Sequence, residues 1–348
     1  MPLAADLVRR APKAVLHDHL DGGLRVATVR ELAAQVGHTL PVDDEAALAR
    51  WFYQGDGGTD LVRYLAAFEH TVAVLQTEAA LVRTTREAVE DLAADGVVYA
   101  ELRYAPELST QDGLSLDAVF DALGEGLADA PEAVETRLLA CIMRQEDRGE
   151  EVVAAALRAR ERGVPVVGVD LAGPEAGFPA SRHAAALRTA VDGGLHLTLH
   201  AGEADGPGSI ADALDAGAER LGHGVRIVED IAADGTLGSV AARVHDQQVV
   251  LEVCPTSNVH TGLCDGVASH PIGRLRELGF AVTVSPDNRL MSGVDATSEL
   301  VAVADAFGWD LGDLVAVTQT ALDAAFIGPS TRGRLQQRVA TAFEDLEA

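Results

Sequence analysis

The chain has 348 residues and a formal charge of −27, from 54 acidic against 27 basic side chains. Such a surface repels phosphate backbones and anionic lipid, so neither nucleic acid nor a membrane is an expected partner, and much of the acidity simply serves solubility. Three cysteines, Cys141, Cys254 and Cys264, are too few and too widely spaced for a disulfide framework or a Cys-x-x-Cys pair. With no charged start followed by a long apolar segment, and no apolar stretch of about 18 residues, the expectation is a cytoplasmic protein.

Short apolar, β-branched runs alternate with longer helical patterns, the sequence form of repeated βα units around a parallel sheet. The first run is 14–19, ending in His17-Asp18-His19. A connection of roughly 75 residues follows, holding Trp51, Phe52 and Tyr53, then Gly55 to Gly58, then Leu61, Tyr64, Leu65 and Phe68. The remaining runs are 97–104, 138–143, 166–171, 195–200, 220–223, 249–253 and 281–285. Helical periodicity covers 77–94, 115–128, 150–162 and 181–191, and Gly96, Gly163, Gly193 and Gly279 stand where a left-handed residue ends a helix. Eight strands with intervening helices predict a (β/α)8 TIM barrel, one domain over 1–348. A helical insertion after the first strand, about 25–95, is expected as a lid, because it would rise from the C-terminal face where barrel active sites sit. Extra core packing is the competing role for that insertion.

Residues two apart on a strand point the same way, so His17 and His19 share a face and Asp18 takes the other. Of the eleven histidines, His17, His19, His200 and His223 end strands and converge on one rim. His38, His70, His183, His196, His245, His260 and His270 fall to surface, capping or packing roles. In His200-Ala201-Gly202-Glu203 a carboxylate follows a candidate ligand across a glycine turn, placed to act as a general acid or base beside a metal. Read alone, Glu203 is equally an acidic residue favouring the next helix's dipole. Asp287, in Val284-Ser285-Pro286-Asp287-Asn288, can join three histidines around zinc with one position left for water. His223 and Asp287 would then flank that water.

These residues in this order resemble the adenosine deaminase family of the amidohydrolase superfamily. The resemblance runs from Leu16-His17-Asp18-His19-Leu20-Asp21-Gly22 through Val169 to Gly173, His200 to Glu203 and Gly222-His223-Gly224 to Glu252-Val253-Cys254-Pro255 and Asp287-Asn288. It implies one zinc per chain held by His17, His19, His200 and Asp287, with hydrolytic loss of the amine from a 6-aminopurine nucleoside. It also implies that Glu203 protonates purine N1 and that His223 activates or electrostatically holds the nucleophilic water. Asp21 would meet the ribose 5′-hydroxyl, the Gly173 backbone N–H purine N3, and Asn288 purine N7, while Asp170 and Ser257 match supporting positions.

The chain departs from the family at Asn288, where a second aspartate is frequent. An amide donates to N7 without first needing a proton, so that change is mild. Pro286 fixes φ and removes an N–H just before Asp287. Together with Asp205 and Ala105, it suggests an alternative substrate, a modified adenine nucleoside such as a menaquinone precursor or a secondary metabolite. A dinuclear centre bridged by a carboxylated lysine is excluded, because Lys13 is the sole lysine and precedes the first strand. The cytidine-type zinc pattern is absent. A noncatalytic metal-binding barrel is the remaining competitor, disfavoured by the presence of both Glu203 and His223.

Overall fold

In a computed structural model, which describes residues 3–55 and 67–347, eight parallel strands follow one another in sequence order around a barrel. They are β1 (Lys13–His19), β2 (Val97–Tyr104), β3 (Glu135–Met143), β4 (Val166–Ala172), β5 (His196–Ala201), β6 (Arg220–His223), β7 (Val250–Val253) and β8 (Val282–Val284). β2 is buried along its whole length, as expected of a strand with packing on both faces. Two expected runs, 97–104 and 220–223, match their strands end to end, and the others differ by a few residues at one or both ends. The largest extension is at β3, where Glu135, Thr136 and Arg137 continue the ladder to β2 with half-buried side chains.

The helices begin where the side chains can hold the first turn. Thr77 accepts the Ala80 N–H and Ser115 the Ala118 N–H, opening Glu78–Ala94 and Leu116–Ala128. Gly96, Gly163 and Gly279 have positive φ as expected. Gly193 does not: it remains helical at φ −76, and the left-handed turn falls one residue later, at Gly194.

Among the described residues, the helices Val26–Val36, Glu45–Phe52 and Phe68–Val74 lie between β1 and the helix Glu78–Ala94. That last helix packs on β2 and on Leu116–Ala128, as a regular member of the outer ring. The extra segment is therefore shorter than 25–95. Leu61, Tyr64, Leu65 and the run Asp56-Gly57-Gly58 fall outside the described residues.

Neighbouring strands form ladders from β1 to β8, but β8 and β1 meet only at the isolated bridge Asp18↔Asp287. There the Asp287 N–H donates to the His17 carbonyl at 3.0 Å, and the His19 N–H to the Asp287 carbonyl at 2.8 Å. The helix Leu311–Ala324 packs across both strands and covers this seam. No helix among the described residues is long and apolar enough to cross a membrane.

Candidate active site

Over the C-terminal ends of the strands lies a cavity of about 320 Å³. Its floor is polar, with His19, His200, Glu203, His223 and Asp287. Phe68, Val72, Leu108 and Met143 supply apolar wall, two of them from the helix Phe68–Val74. Asp21, Gly173, Ser257, Asn288 and Ala105 also line it.

The alternation of β1 works as expected. Asp18 turns away from the cavity to pair with Arg289 Nε at 2.9 Å, while His17 and His19 face the barrel axis. His17 Nδ1 donates to Glu252 Oε2 at 3.1 Å, and His200 Nδ1 to Asp170 Oδ2 at 2.8 Å. Burial, with Arg103 nearby, lowers His17 to about 4, so its ring is neutral. With its Nδ1 proton committed, His17 presents the Nε2 lone pair to the centre. Burial works to lower His200 but Asp170 outweighs it and raises the ring, and a cation bound at Nε2 would take the place of its second proton.

Three distances describe that centre. His17 Nε2 and His19 Nε2 each lie 3.4 Å from Asp287 Oδ1, and His19 Nε2 lies 3.2 Å from His200 Nε2. Tetrahedral ligands bound at 2.0–2.2 Å are separated by roughly 3.3–3.6 Å, so these spacings fit a zinc-sized ion. His17 Nε2 and Asp287 Oδ1 are buried and lack hydrogen-bond partners, which a coordinated cation would correct. A second grouping, His17, His200, His223 and Asp287, also brings ligand atoms within 4.8 Å of one another. In that grouping His223 takes the place of His19.

Beneath the histidines runs a chain of buried charge that sequence reasoning did not assemble. Arg103 donates to Asp170 Oδ2 at 2.7 Å, to Glu252 Oε2 at 2.6 Å and to the Leu16 carbonyl at 2.6 Å. Arg220 joins Glu252, at 2.7 Å, to Glu101. Burial alone would raise Glu252, but Arg103 and Arg220 hold it well below the ordinary carboxylate range. Three carboxylates face two guanidinium groups, so the network carries a net negative charge, which favours a cation above it. The available signal was Glu101 and Arg103 inside an otherwise apolar run, since a charge buried in a strand needs a partner.

Glu203 is raised above the ordinary glutamate range by burial first, with His223 working in the opposite direction. Its loop is organised by Glu175, which the sequence reading did not single out. Glu175 Oε1 accepts the Gly202 N–H at 2.6 Å, and Oε2 accepts those of Glu203, Ala204 and Asp205 at 3.0, 2.7 and 3.0 Å. Asp205 is exposed and accepts the N–H of Gly206 at 2.7 Å, so it does not line the cavity. Pro286 leaves Asp287 aimed at the histidines, because the turn is made by Asp287 itself at φ 62. Ser257 lines the cavity, and Asn258 beside it, buried and not foreseen, contacts His223. Gly173 has φ 89, the left-handed region that favours glycine, and a Cβ there would also displace the end of the Gln145 side chain, 2.7 Å away at Oε1. Lys13 is at the opposite end of β1, with Nζ bound to the carbonyls of Val8 and Ala11.

An eight-stranded parallel barrel that gathers histidines, an aspartate and a buried glutamate over its strand ends defines a hydrolase with a metal-binding type of centre. The family model described as adenosine deaminase matches residues 12–342. An adenosine deaminase of Mycolicibacterium vanbaalenii is 49% identical over 339 residues, covering 94% of this chain and 93% of that protein. Among solved structures, the adenine deaminase of Arthrobacter aurescens has a TM-score of 0.87 at 29% identity, covering 97% of this chain and 100% of its own. The N6-methyl-AMP deaminase of Arabidopsis thaliana has a TM-score of 0.83 at 27% identity, covering 97% and 99%. The chain belongs to the adenosine deaminase family and is an aminohydrolase.

Proposed function

We propose that this chain, acting as a single catalytic domain in the cytoplasm, hydrolyses the 6-amino group from adenosine or a closely related 6-aminopurine nucleoside. The reaction would use one zinc ion held by His17, His19, His200 and Asp287. The observation that carries this reading is the electron-rich centre. Imidazole nitrogens of three histidines and a carboxylate oxygen converge at 3.2–3.4 Å, with two of the atoms otherwise unpartnered. His19 is preferred to His223 as the fourth ligand because His19 Nε2 stands at ligand spacing from both Asp287 and His200. His223 Nε2 instead approaches Glu203 Oε2 at 3.6 Å.

Zinc, when bound, would supply a water acidified to a pKa of about 7, hence a nucleophile near neutral pH. Glu203, whose burial favours the protonated form, gives a proton to purine N1 and makes C6 electrophilic. His223, whose Nε2 lies 3.6 Å from Glu203 Oε2, holds the nucleophile. Asp21, the Gly173 N–H and Asn288 orient the ribose and the purine edges. The helix Phe68–Val74 serves as part of a lid, since Phe68 and Val72 close one wall of the cavity. The relatives named above each take their names from an adenine-bearing substrate, which supports the same chemistry here.

Ammonia release from adenosine by purified, zinc-loaded protein tests the reading. Glu203→Gln is expected to keep zinc and lose most turnover; undiminished activity refutes the role of Glu203. A panel of 6-aminopurine nucleosides decides the substrate. A modified adenine nucleoside remains the second reading, supported now by Ala105 alone, since it lines the cavity whereas Asp205 does not. Efficient adenosine turnover with no gain on any modified compound removes it.

A further inference from the structure

Histidine has two ring nitrogens, and the one carrying the proton decides whether His223 can accept a proton from the nucleophile or only donate a hydrogen bond to it. At His223 that choice traces outwards through buried side chains to a group that has none. The Ile272 backbone N–H reaches His270 Nδ1 at 3.1 Å. A backbone N–H only donates, so Nδ1 is the acceptor and the proton of His270 sits on Nε2. Burial lowers His270 to about 3, which keeps the ring neutral.

His270 Nε2 lies 3.1 Å from Asn258 Oδ1. Its N–H donates into that oxygen and so settles which end of the Asn258 amide faces which neighbour. The other end, Nδ2, stands 3.1 Å from His223 Nδ1. An amide nitrogen donates, so His223 Nδ1 accepts and the ring proton is on Nε2. A proton added to Nδ1 would collide with the Asn258 amide hydrogens. His223, Asn258 and His270 are 1%, 0% and 3% exposed, so these contacts are shielded from bulk solvent.

We infer that Asn258 and His270 are positioning residues that hold His223 as the Nε2–H tautomer, so that His223 holds the nucleophile by donating to it and does not remove its proton. The catalytic part of this inference rests on the function proposed above; the tautomer does not. His270 thus also accepts the first N–H of the helix Ile272–Glu277, whose N-cap is Pro271.

The test uses zinc-loaded, full-length protein with 15N-labelled imidazoles, and the His223 signals are identified by difference against His223→Gln. Long-range proton–nitrogen correlation should show the Nε2–H pattern for His223 in the wild type. An Nδ1–H pattern there overturns the inference outright. Asn258→Asp puts an acceptor against Nδ1 and should move the proton to it, lowering kcat by about 10²-fold or more, with KM within about threefold and zinc content unchanged. An unchanged tautomer with unchanged kcat in that variant also overturns the inference. His270→Gln can still accept from Ile272 and donate to Asn258, so it should retain kcat within about threefold, whereas His270→Ala should lower kcat more than it alters KM. Equal losses in the two His270 variants contradict the relay. Should the wild type release no ammonia from any 6-aminopurine nucleoside, the assigned reaction falls, and the nitrogen spectra still decide the tautomer.

Discussion

Glu299 offers a stability test whose size follows from the structure. It has no exposed surface in the helix Ala296–Phe307, and its oxygens accept the Thr256 N–H at 3.2 and 3.3 Å. Burial first, then the nearby carboxylates Asp287 and Asp295, pushes it up from 4.5 to about 8. Below pH 4.5 the folded and unfolded chains both hold this proton, and stability is unaffected. Between 4.5 and 8 the folded chain keeps a proton that the unfolded chain releases, so stability falls by about 1.36 kcal/mol per pH unit. The loss is complete above pH 8, at (8 − 4.5) × 1.36, a ceiling of about 5 kcal/mol. Glu299→Gln cannot ionise, and its amide oxygen can still accept from Thr256. Urea unfolding at pH 5.5, 7 and 8.5 should therefore show the variant gaining on the wild type as pH rises, by about 1 kcal/mol at the acid end and several at the alkaline end. A difference independent of pH, or one that shrinks with rising pH, refutes the reasoning. Thr256 lies in the helix that carries Ser257 and Asn258, so Glu299 supports the element behind the wall of the site.

Three further outcomes follow from the charges around the centre. Arg103→Met leaves Asp170 and Glu252 buried without their shared cation, and should cost about 3–5 kcal/mol in urea unfolding and weaken zinc binding by about 10- to 100-fold in chelator competition. Glu175→Ala strips the acceptor from four consecutive N–H groups, so hydrogen exchange at residues 202–205 should accelerate and kcat fall by roughly tenfold or more; unchanged exchange would contradict its role. Removing metal with a chelator should abolish ammonia release and lower the melting temperature, with zinc restoring both. Free zinc at about 100 times its Kd is worth about 2.7 kcal/mol.

The barrel was legible because its signals are local. Alternation alone put His17 and His19 together and sent Asp18 to Arg289. β6, whose four residues hold one aliphatic side chain, was legible only as a member of the series of eight. The chemistry beneath the rim was less legible, because it depends on which side chains meet inside the barrel. Glu101 and Arg103 share β2, but Asp170, Arg220 and Glu252 come from three other strands, and no spacing in the sequence relates them to that pair. His270 was left among surface, capping and packing histidines; one nitrogen accepts the Ile272 N–H, and the other reaches Asn258 through a contact that no local pattern announces. Glu175 was hidden for the same reason, since its five donors lie about thirty residues further along the chain.

Backbone strain sharpens the argument at Asp287. Among the described residues only His223, Gln248 and Asp287 have positive φ without being glycine, and two of the three belong to the candidate site. The left-handed region costs an ordinary L-residue roughly 1–2 kcal/mol, so its use at both positions has to be offset elsewhere. At Asp287 the offset is visible: the turn at φ 62 lets its N–H reach His17 and its carbonyl accept from His19, closing the β8–β1 seam where no ladder exists. One residue thus joins the barrel and presents a carboxylate to the histidines, and the two roles can be separated. Asn tolerates the left-handed region and Val does not. Asp287→Asn should therefore lose zinc affinity while keeping the seam, and Asp287→Val should lose both. In metal-free protein the valine variant is expected to unfold at lower urea than the asparagine variant, by about 1–2 kcal/mol, the backbone cost alone. Equal stabilities would mean that the turn at Asp287 contributes nothing to closure, and that the strain there serves the carboxylate only.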